Sequence, residues 1–199
     1  MKALRALCIA LTMLVLAVPA LADDCITGTV SAVETPSGSG TWKYCITFTY
    51  DVTSLGNSPS HFSLLVGALA NCPCICDAIW FDTPAGSSTG SGESGPCVVE
   101  YNGVFACNGD PTLPGDTGPT MKWEVPEDPT CEPDLIGSGE LCFYSSLQPE
   151  AVPGSTGIVI KLGQESCNGT VTGFLPSCVG CPVKTDQKTW GAIKALYRF

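Results

Sequence analysis

The chain has 199 residues, with 19 Asp and Glu against 9 Lys and Arg, a formal charge of −10, and 22 Gly, 16 Pro and 13 Cys. So acidic a composition repels nucleic acid and anionic lipid, which argues against either as a partner. Cysteine at this density points to an oxidising compartment.

The N-terminus reads as a secretion signal over residues 1–22. Lys2 and Arg5 precede an apolar run from Leu7 to Val18, and Ala20-Leu21-Ala22 is an A-x-A cleavage site. That run is shorter than the roughly 20 residues a spanning helix requires, and no later stretch approaches it, so no membrane span is expected after signal removal. Cys25 follows Asp23-Asp24, where lipid attachment prefers small residues. The mature chain is therefore expected to start at Asp23. Cys8 leaves with the signal. Twelve cysteines remain, at Cys25, Cys45, Cys72, Cys74, Cys76, Cys97, Cys107, Cys131, Cys142, Cys167, Cys178 and Cys181. An even number in an exported chain reads as a disulfide framework of up to six bridges, whose pairing the spacing does not give.

In chain order, the mature sequence is a series of short β-rich runs separated by Gly and Pro. Cys25 to Val33 is a first strand, closed by the turn-rich Thr35 to Gly40. Trp42 to Val52 is the clearest, with Trp42, Tyr44, Ile46, Phe48, Tyr50 and Val52 on one face and Lys43, Cys45, Thr47, Thr49 and Asp51 on the other. Cys45 sits on the polar face, where a bridge would pin it. His61 to Val66 aligns Phe62, Leu64 and Val66. Ala78 to Phe81 is short and precedes a stretch, Gly86 to Gly95, that reads as flexible. Cys97 to Cys107 reads as a two-residue hairpin turning at Asn102-Gly103, the pair a type I′ turn favours. Met121 to Val125 alternates again, and Gly139 to Ser145, Gly157 to Leu162 and Asn168 to Phe174 complete nine or ten strands. Helical periodicity is absent from residues 23–181. The fold expected is all-β, a single disulfide-rich β-sandwich.

Residues 182–199 differ in character. From Asp23 to Cys181, 18 acidic residues face three lysines, a net of −15, whereas Pro182 to Phe199 holds Lys184, Lys188, Lys194 and Arg198 against Asp186, a net of +3. Pro182 to Lys188 is linker-like, and Thr189 is placed to cap a short helix. In that helix Trp190, Ile193 and Tyr197 (or Leu196) share a face beside Lys194 and Arg198. Ten residues containing Gly191 are too few to be helical alone, so the tail needs a docking surface.

Several residue sets invite a chemical reading. Cys72-Pro-Cys74-Ile-Cys76 and Cys178-Val-Gly-Cys181 have spacings that zinc thiolates and redox pairs also use. The compartment, the surplus of cysteines and the lack of histidine partners favour structural bridges. Alternate cysteines in one extended stretch bridge each other poorly, so Cys72 to Cys76 are expected to reach different neighbours. His61 is the one histidine of the mature chain. Ser58, Ser60 and Ser63 lie near it, but no G-x-S-x-G elbow surrounds them, and no catalytic residue is assigned. The acidic stretches Asn108-Gly-Asp110 to Asp116 and Glu127-Asp128 to Asp134 offer clustered oxygens for calcium without the spacing of a calcium loop. Asn168-Gly-Thr170 matches the N-glycosylation triplet. Trp42, Trp80 and Trp123 are candidates for stacking on sugars, against core packing as the ordinary role of such residues. No cofactor or metal is expected.

Trp42-Lys-Tyr44 with Tyr50-Asp-Val52, followed by Ser60-His61-Phe62 and a cysteine-rich loop, resembles the opening of β-sandwich modules in bacterial surface and extracellular proteins. The likeness extends through Lys122-Trp123-Glu124, Gly139 to Ser145 and Val159 to Gly163. Thr189-Trp190-Gly191-Ala192-Ile193-Lys194-Ala195-Leu196-Tyr197-Arg198 is similar to W-G-x-[IV]-K-x-L-[YF]-R endings of assorted secreted bacterial proteins. That resemblance implies a recognition or sorting role for Trp190, Gly191, Ile193, Lys194, Leu196, Tyr197 and Arg198, with a cell-surface component or the sorting machinery as partner. The alternative is a strap over an exposed sheet edge. The functional expectation is a secreted or cell-surface, non-enzymatic protein with a structural, adhesive or binding role. A carbohydrate- or calcium-dependent binding module stands second, and a secreted hydrolase or thiol oxidoreductase third. Deleting Trp190 to Phe199 is expected to reduce retention at the cell surface while shifting the melting temperature little. Fractionation and thermal unfolding of the truncated protein check this, and a large melting shift with unchanged location would favour the strap.

Overall fold

The computed structural model describes residues 24–66, 72, 74–113, 115–126, 130–152 and 154–180. Residues 1–22, Glu127, Asp128, Cys181 and the tail from 182 to 199 lie outside them, and with them the tail residues Trp190 to Arg198. The expectations attached to these residues therefore have no structural counterpart.

The described residues are all-β. Twelve strands run in chain order: β1 (Ile26–Glu34), β2 (Trp42–Asp51), β3 (His61–Leu65), β4 (Ile79–Trp80), β5 (Gly86–Gly92), β6 (Gly95–Ala106), β7 (Thr120–Glu124), β8 (Glu132–Pro133), β9 (Ile136–Ser145), β10 (Pro149–Ala151), β11 (Thr156–Leu162) and β12 (Glu165–Pro176). One helical turn, α1 (Ile75–Ala78), precedes β4. The strands inferred from alternation at Trp42, His61, Met121, Gly139, Gly157 and Asn168 all form.

They do not form a sandwich. The order β9-β2-β1-β12-β11-β3-β7-β6-β5 is closed by pairing β5 back onto β9, with Gly86 opposite Leu141, Ser87 opposite Glu140 and Ser88 opposite Gly139. The sheet is thus a nine-stranded barrel, with β4, β8 and β10 as short flanking strands. A ring with an odd number of strands cannot be antiparallel throughout. The parallel pair falls where the first long strand meets the last, at β1 and β12, with Thr27 opposite Thr170 and Thr29 opposite Thr172. Alternation along a strand separates inside from outside in a sandwich and in a barrel alike, so it does not show closure.

The interior is aromatic. Trp123, Tyr44, Tyr101, Phe48, Phe62 and Phe143 are among the largest fully buried side chains. Phe62 meets Phe48 at 4.9 Å and Tyr101 edge-on at 5.4 Å, and Tyr44 stacks on Phe143 at 4.9 Å. Each polar tip finds a partner: Tyr44 Oη donates to Leu147 O, Tyr50 Oη to Asp134 O and Trp123 Nε1 to Cys142 O, while Tyr101 Oη pairs with Ser88 Oγ. Burial pushes the Tyr50 hydroxyl up to about 12 and raises those of Tyr44 and Tyr101 as well. The outer face of the wall is polar, with Thr27, Thr29, Thr47, Thr49, Glu100 and Glu140 exposed. This polarity is the reverse of a transmembrane barrel, whose lipid-facing positions are apolar.

Two further sequence expectations are overturned. Gly86 to Gly92 is not a flexible loop but β5, which pairs with β6, β8 and β9. It lacks apolar alternation because rings from other walls fill the space beneath it. Nor is Cys97 to Cys107 a hairpin: β6 runs straight through, with Asn102 opposite Glu124 and Gly103 opposite Trp123. Gly103 serves a close approach instead of a turn, since a Cβ there would collide with the Phe81 ring. The actual turn lies earlier, at Glu93-Ser94 before Gly95, whose φ is 106°.

Among the described residues five disulfides brace the barrel: Cys25–Cys167, Cys45–Cys142, Cys72–Cys178, Cys76–Cys107 and Cys97–Cys131. Cys74 is disulfide-bonded as well. Cys72 and Cys76 reach different partners, as their spacing implied. Cys178 bonds Cys72, so the C-x-x-C stretch is not a self-contained redox pair. Cys45 and Cys142 are register partners on β2 and β9, 4.2 Å apart at Cα, close to the spacing of a non-hydrogen-bonded antiparallel pair.

Closure depends on the backbone of β5 lying against that of β9. A Cβ on Gly139 would meet the Ser87 carbonyl oxygen, Ser88 Cα at 2.8 Å and Phe48 Cζ at 2.9 Å. Gly139→Val should therefore destabilise the protein by roughly 3 kcal/mol. Gly157→Ala, whose new methyl would have Leu65 Cδ1 as nearest neighbour at 3.5 Å, should change stability by less than about 1 kcal/mol. Urea unfolding of both variants measures the contrast, and equal midpoints would contradict the seam.

Candidate functional site

Two places gather polar and aromatic side chains. The first lies on the outer face of β3 and β7, beneath the 107–119 connection. His61 begins β3, and alternation turns it and Ser63 outward while Phe62 and Leu64 enter the core. The connection folds back so that Asp110 lies beneath it, fully buried. His61 Nε2 is 3.3 Å from Asp110 Oδ2 and 3.2 Å from Thr112 Oγ1. Ser63 Oγ donates to Asp110 Oδ2, and Thr112 donates to Oδ1 through both N–H and hydroxyl. Lys122 Nζ bridges Asp110 at 3.7 Å and Glu124 at 2.6 Å. Asp116 accepts from the Asp110 N–H and from Thr120 Oγ1.

Every charge in this cluster is answered by its neighbours. Asp110, one of the oxygens proposed for calcium, spends its carboxylate on the loop's own donors. The hydroxyl bonds from Thr112 and Ser63 and the Lys122 charge outweigh burial and hold its pKa below the usual range. His61 has a serine on one side and an aspartate on the other, an echo of a catalytic triad. Ser60 Oγ, however, donates to Lys161 O at 2.9 Å and sits 3.4 Å from His61 Nδ1, while the imidazole is only 6% exposed. The cluster is a clasp that holds the 107–119 connection on the barrel wall.

The second place is a groove of about 220 Å³ on the outside of the closure seam, lined by Lys43, Asp82, Ser87, Val98, Glu100, Glu140, Cys142 and Tyr144, among others. Register explains how it is assembled. Lys43, Tyr144 and Trp80 form one outward row across β2, β9 and β4. Glu140, Ser87 and Glu100 form another across β9, β5 and β6. Trp80 stacks on Tyr144 with ring centroids 6.0 Å apart and planes 12° apart, and Lys43 Nζ lies 6.0 Å from the Tyr144 centroid. Tyr144 Oη is hydrogen-bonded to Asp82, which with partial burial raises its pKa. Trp80 is 41% exposed and Val98 67%, large apolar groups left open to water.

Among the sugar-stacking candidates, Trp123 is core and Trp42 is half-buried, its Nε1 enclosed and without a hydrogen-bond partner among the described residues. Trp80 alone of the three is exposed, and it stacks on Tyr144, which lines the groove. Cys45, Glu140 and Cys142 bring their ligand atoms within 4.8 Å of one another, but the two sulfurs are joined in a bridge and offer no thiolate to a metal. Asp134 Oδ1 accepts from Ser91 Oγ. Asn168 is exposed on the outer face of β12, and Thr170 Oγ1 donates to Asp24. Sequence reasoning missed Tyr144, Lys43, Asp82, Glu100 and Glu140. Its one available signal was Tyr144, an aromatic residue on the otherwise polar face of an alternating strand.

The clasp has a pH signature. Burial, then the Lys122 charge, lowers the His61 pKa to about 4, against partial opposition from Asp110 and Glu124, with Lys161 adding to the depression. An unfolded histidine titrates near 6.5. The imidazole is thus neutral in the fold, and its stabilising share is whole above about pH 6.5 and lost as pH falls toward 4. Screening by nearby solvent trims the expected loss to about 2 kcal/mol. Urea midpoints measured from pH 7.5 to 4 should fall over that window in the native protein and stay flatter in His61→Gln, whereas superimposable profiles would contradict the clasp. No protein family, characterised protein or solved structure matches this chain, so its functional reading rests on the geometry of these two places.

Proposed function

We propose that this protein is exported and acts outside the cytoplasm as a non-enzymatic, disulfide-braced barrel that binds carbohydrate on the Trp80–Tyr144 groove. Export is supported by the signal-like residues 1–22, by the resemblance to secreted bacterial modules and by five bridges among the described residues. No helix among the described residues is long and apolar enough to cross a membrane. A binding role, in preference to catalysis, is favoured by the occlusion of His61 and the engagement of the Ser60 hydroxyl.

One observation carries the ligand class: an exposed tryptophan, next to the groove, lies parallel to Tyr144, which lines it together with carboxylates, an ammonium and a serine hydroxyl. Flat aromatic faces take the apolar C–H face of a sugar ring, and acceptors beside them take its hydroxyls. At about 220 Å³ the groove is smaller than the ~300–1,000 Å³ of enclosed small-molecule sites. It suits one unit of a longer chain lying across the wall.

Trp80→Ala and Tyr144→Ala should each weaken oligosaccharide binding about 10-fold or more while moving the melting temperature by less than about 3 °C. Glycan-array screening followed by calorimetric titration, with and without chelator, measures this. Chelator-insensitive binding is expected, because among the described residues the ligand atoms clustered beside the groove are Glu140 and the bridged sulfurs of Cys45 and Cys142. A native protein silent on every glycan, or variants that bind as well as native, would overturn the reading.

A further inference from the structure

We infer that the groove selects glycans bearing free amino groups. This rests on the carbohydrate reading and adds the charge of the ligand to it. Three carboxylates border the groove: Asp82, Glu100 and Glu140. Glu140 and Glu100 flank Ser87 on successive strands, which sets their Cα atoms about 10 Å apart across two strand spacings. Among the described residues none of the three enters an ion pair; the salt bridges there belong to Lys122 on the β3–β7 face, beside the neutral His61. Lys43 lines the same groove but makes no ion pair with them among the described residues, its ammonium lying 6.0 Å from the Tyr144 ring centroid. The groove therefore presents an aromatic residue beside three carboxylates without an ion-pair partner among the described residues, one of which, Asp82, bonds the Tyr144 hydroxyl.

That pairing discriminates among sugars. A uronic or sulfated chain would bring its anions against Glu100 and Glu140, in a body whose residues 23–181 already carry a net −15, and like charges at this range repel. A neutral chain would stack on Trp80 and hydrogen-bond to the acids. A chain of 2-amino sugars does both and adds ammonium–carboxylate hydrogen bonds, which are shorter and stronger than neutral ones. Ammonium groups spaced along such a chain can meet acids on either side of Ser87 while a ring lies on Trp80 and Tyr144.

The test uses the full-length secreted protein with two probes of one backbone: β-1,4-linked glucosamine oligomers and their fully N-acetylated counterparts. Oligogalacturonate serves as the acidic comparison. Titration at pH 6 and moderate salt should show the free-amine oligomer binding at least about 5-fold tighter than the acetylated one, with the uronate weakest. Glu100→Gln/Glu140→Gln should abolish that preference, so that the two oligomers bind alike. Glu93→Gln/Glu165→Gln, which removes as much charge from an exposed turn and from the exposed first residue of β12, should leave the preference intact. Equal, Trp80-dependent affinity for both oligomers would overturn the amine selectivity and spare the carbohydrate reading. A preference that survives Glu100→Gln/Glu140→Gln, or disappears equally in the Glu93/Glu165 pair, would reduce it to bulk charge and overturn it too. Binding of neither oligomer, with other glycans also silent, would remove both.

Discussion

The rest of the structure depends on how closely the backbones of β5 and β9 approach. An open sheet of this length would expose two unpaired edges and leave the aromatic face of β2, β3, β6 and β7 only partly covered. Pairing Gly86, Ser87 and Ser88 with Leu141, Glu140 and Gly139 removes both edges at once. It is possible because most inward positions at the seam are small, and Leu141, the large one, faces Gly86. Gly86, Ser88 and Gly90 on one side and Gly137 and Gly139 on the other leave room for Phe48, Tyr50 and Tyr101, and Ser88 also gives Tyr101 its hydrogen-bond partner. Small seam and large rings are two halves of one packing solution.

The disulfides act on the same closure from a different direction. Cys25–Cys167 ties the start of β1 to β12, 142 residues away, beside the parallel pair that an odd ring requires. Cys45–Cys142 staples β2 to β9 one strand from the seam. Cys97–Cys131 anchors β6 to the residue that enters β8, which pairs on β5. Barrels assembled from distant segments lose much chain entropy before long-range pairs repay it. Bridges that span long loops lower that cost in the unfolded chain. Three of the five lie on or next to strands that meet at the two critical junctions, β1–β12 and β5–β9.

How far the amino-acid sequence predicts this architecture follows from which interactions are local. Trp42 to Val52 declares its strand and its two faces because alternation is a property of one segment, and the same holds at His61, Met121 and Gly157. The all-β class and the structural cysteines are legible for the same reason. Closure is not, since it is a relation between β5 and β9 that neither segment displays alone. β5 in particular hides, because GSSTGSG has the composition of a linker and becomes a strand only where another wall supplies the apolar mass. Asn102-Gly103 misleads in the opposite sense: a strong turn pair is overridden because Phe81 needs a residue without a side chain beneath it. At the groove, Trp80 was readable as an aromatic candidate. Glu140 and Glu100 were not, because their partnership exists only once β5 lies between them.

The two polar clusters show how the fold treats charge in different places. Around Asp110 one carboxylate oxygen meets the Thr112 hydroxyl and amide and the Lys122 ammonium, the other meets the Ser63 hydroxyl and His61, and His61 is kept neutral. Buried charge is tolerated only under such saturation, since an uncompensated ion there would be severely destabilising. The groove acids obey no such requirement. Glu100 and Glu140 are exposed and make no ion pair among the described residues, so the barrel would stand as well with glutamines in their place. What the fold does require is the seam beneath them, and that seam also sets the spacing of the acids and holds Cys142 and Tyr144 beside them. The groove is thus fixed in shape by interactions the barrel cannot lose and furnished with charges it does not need, the combination expected of a surface whose side chains answer to a ligand.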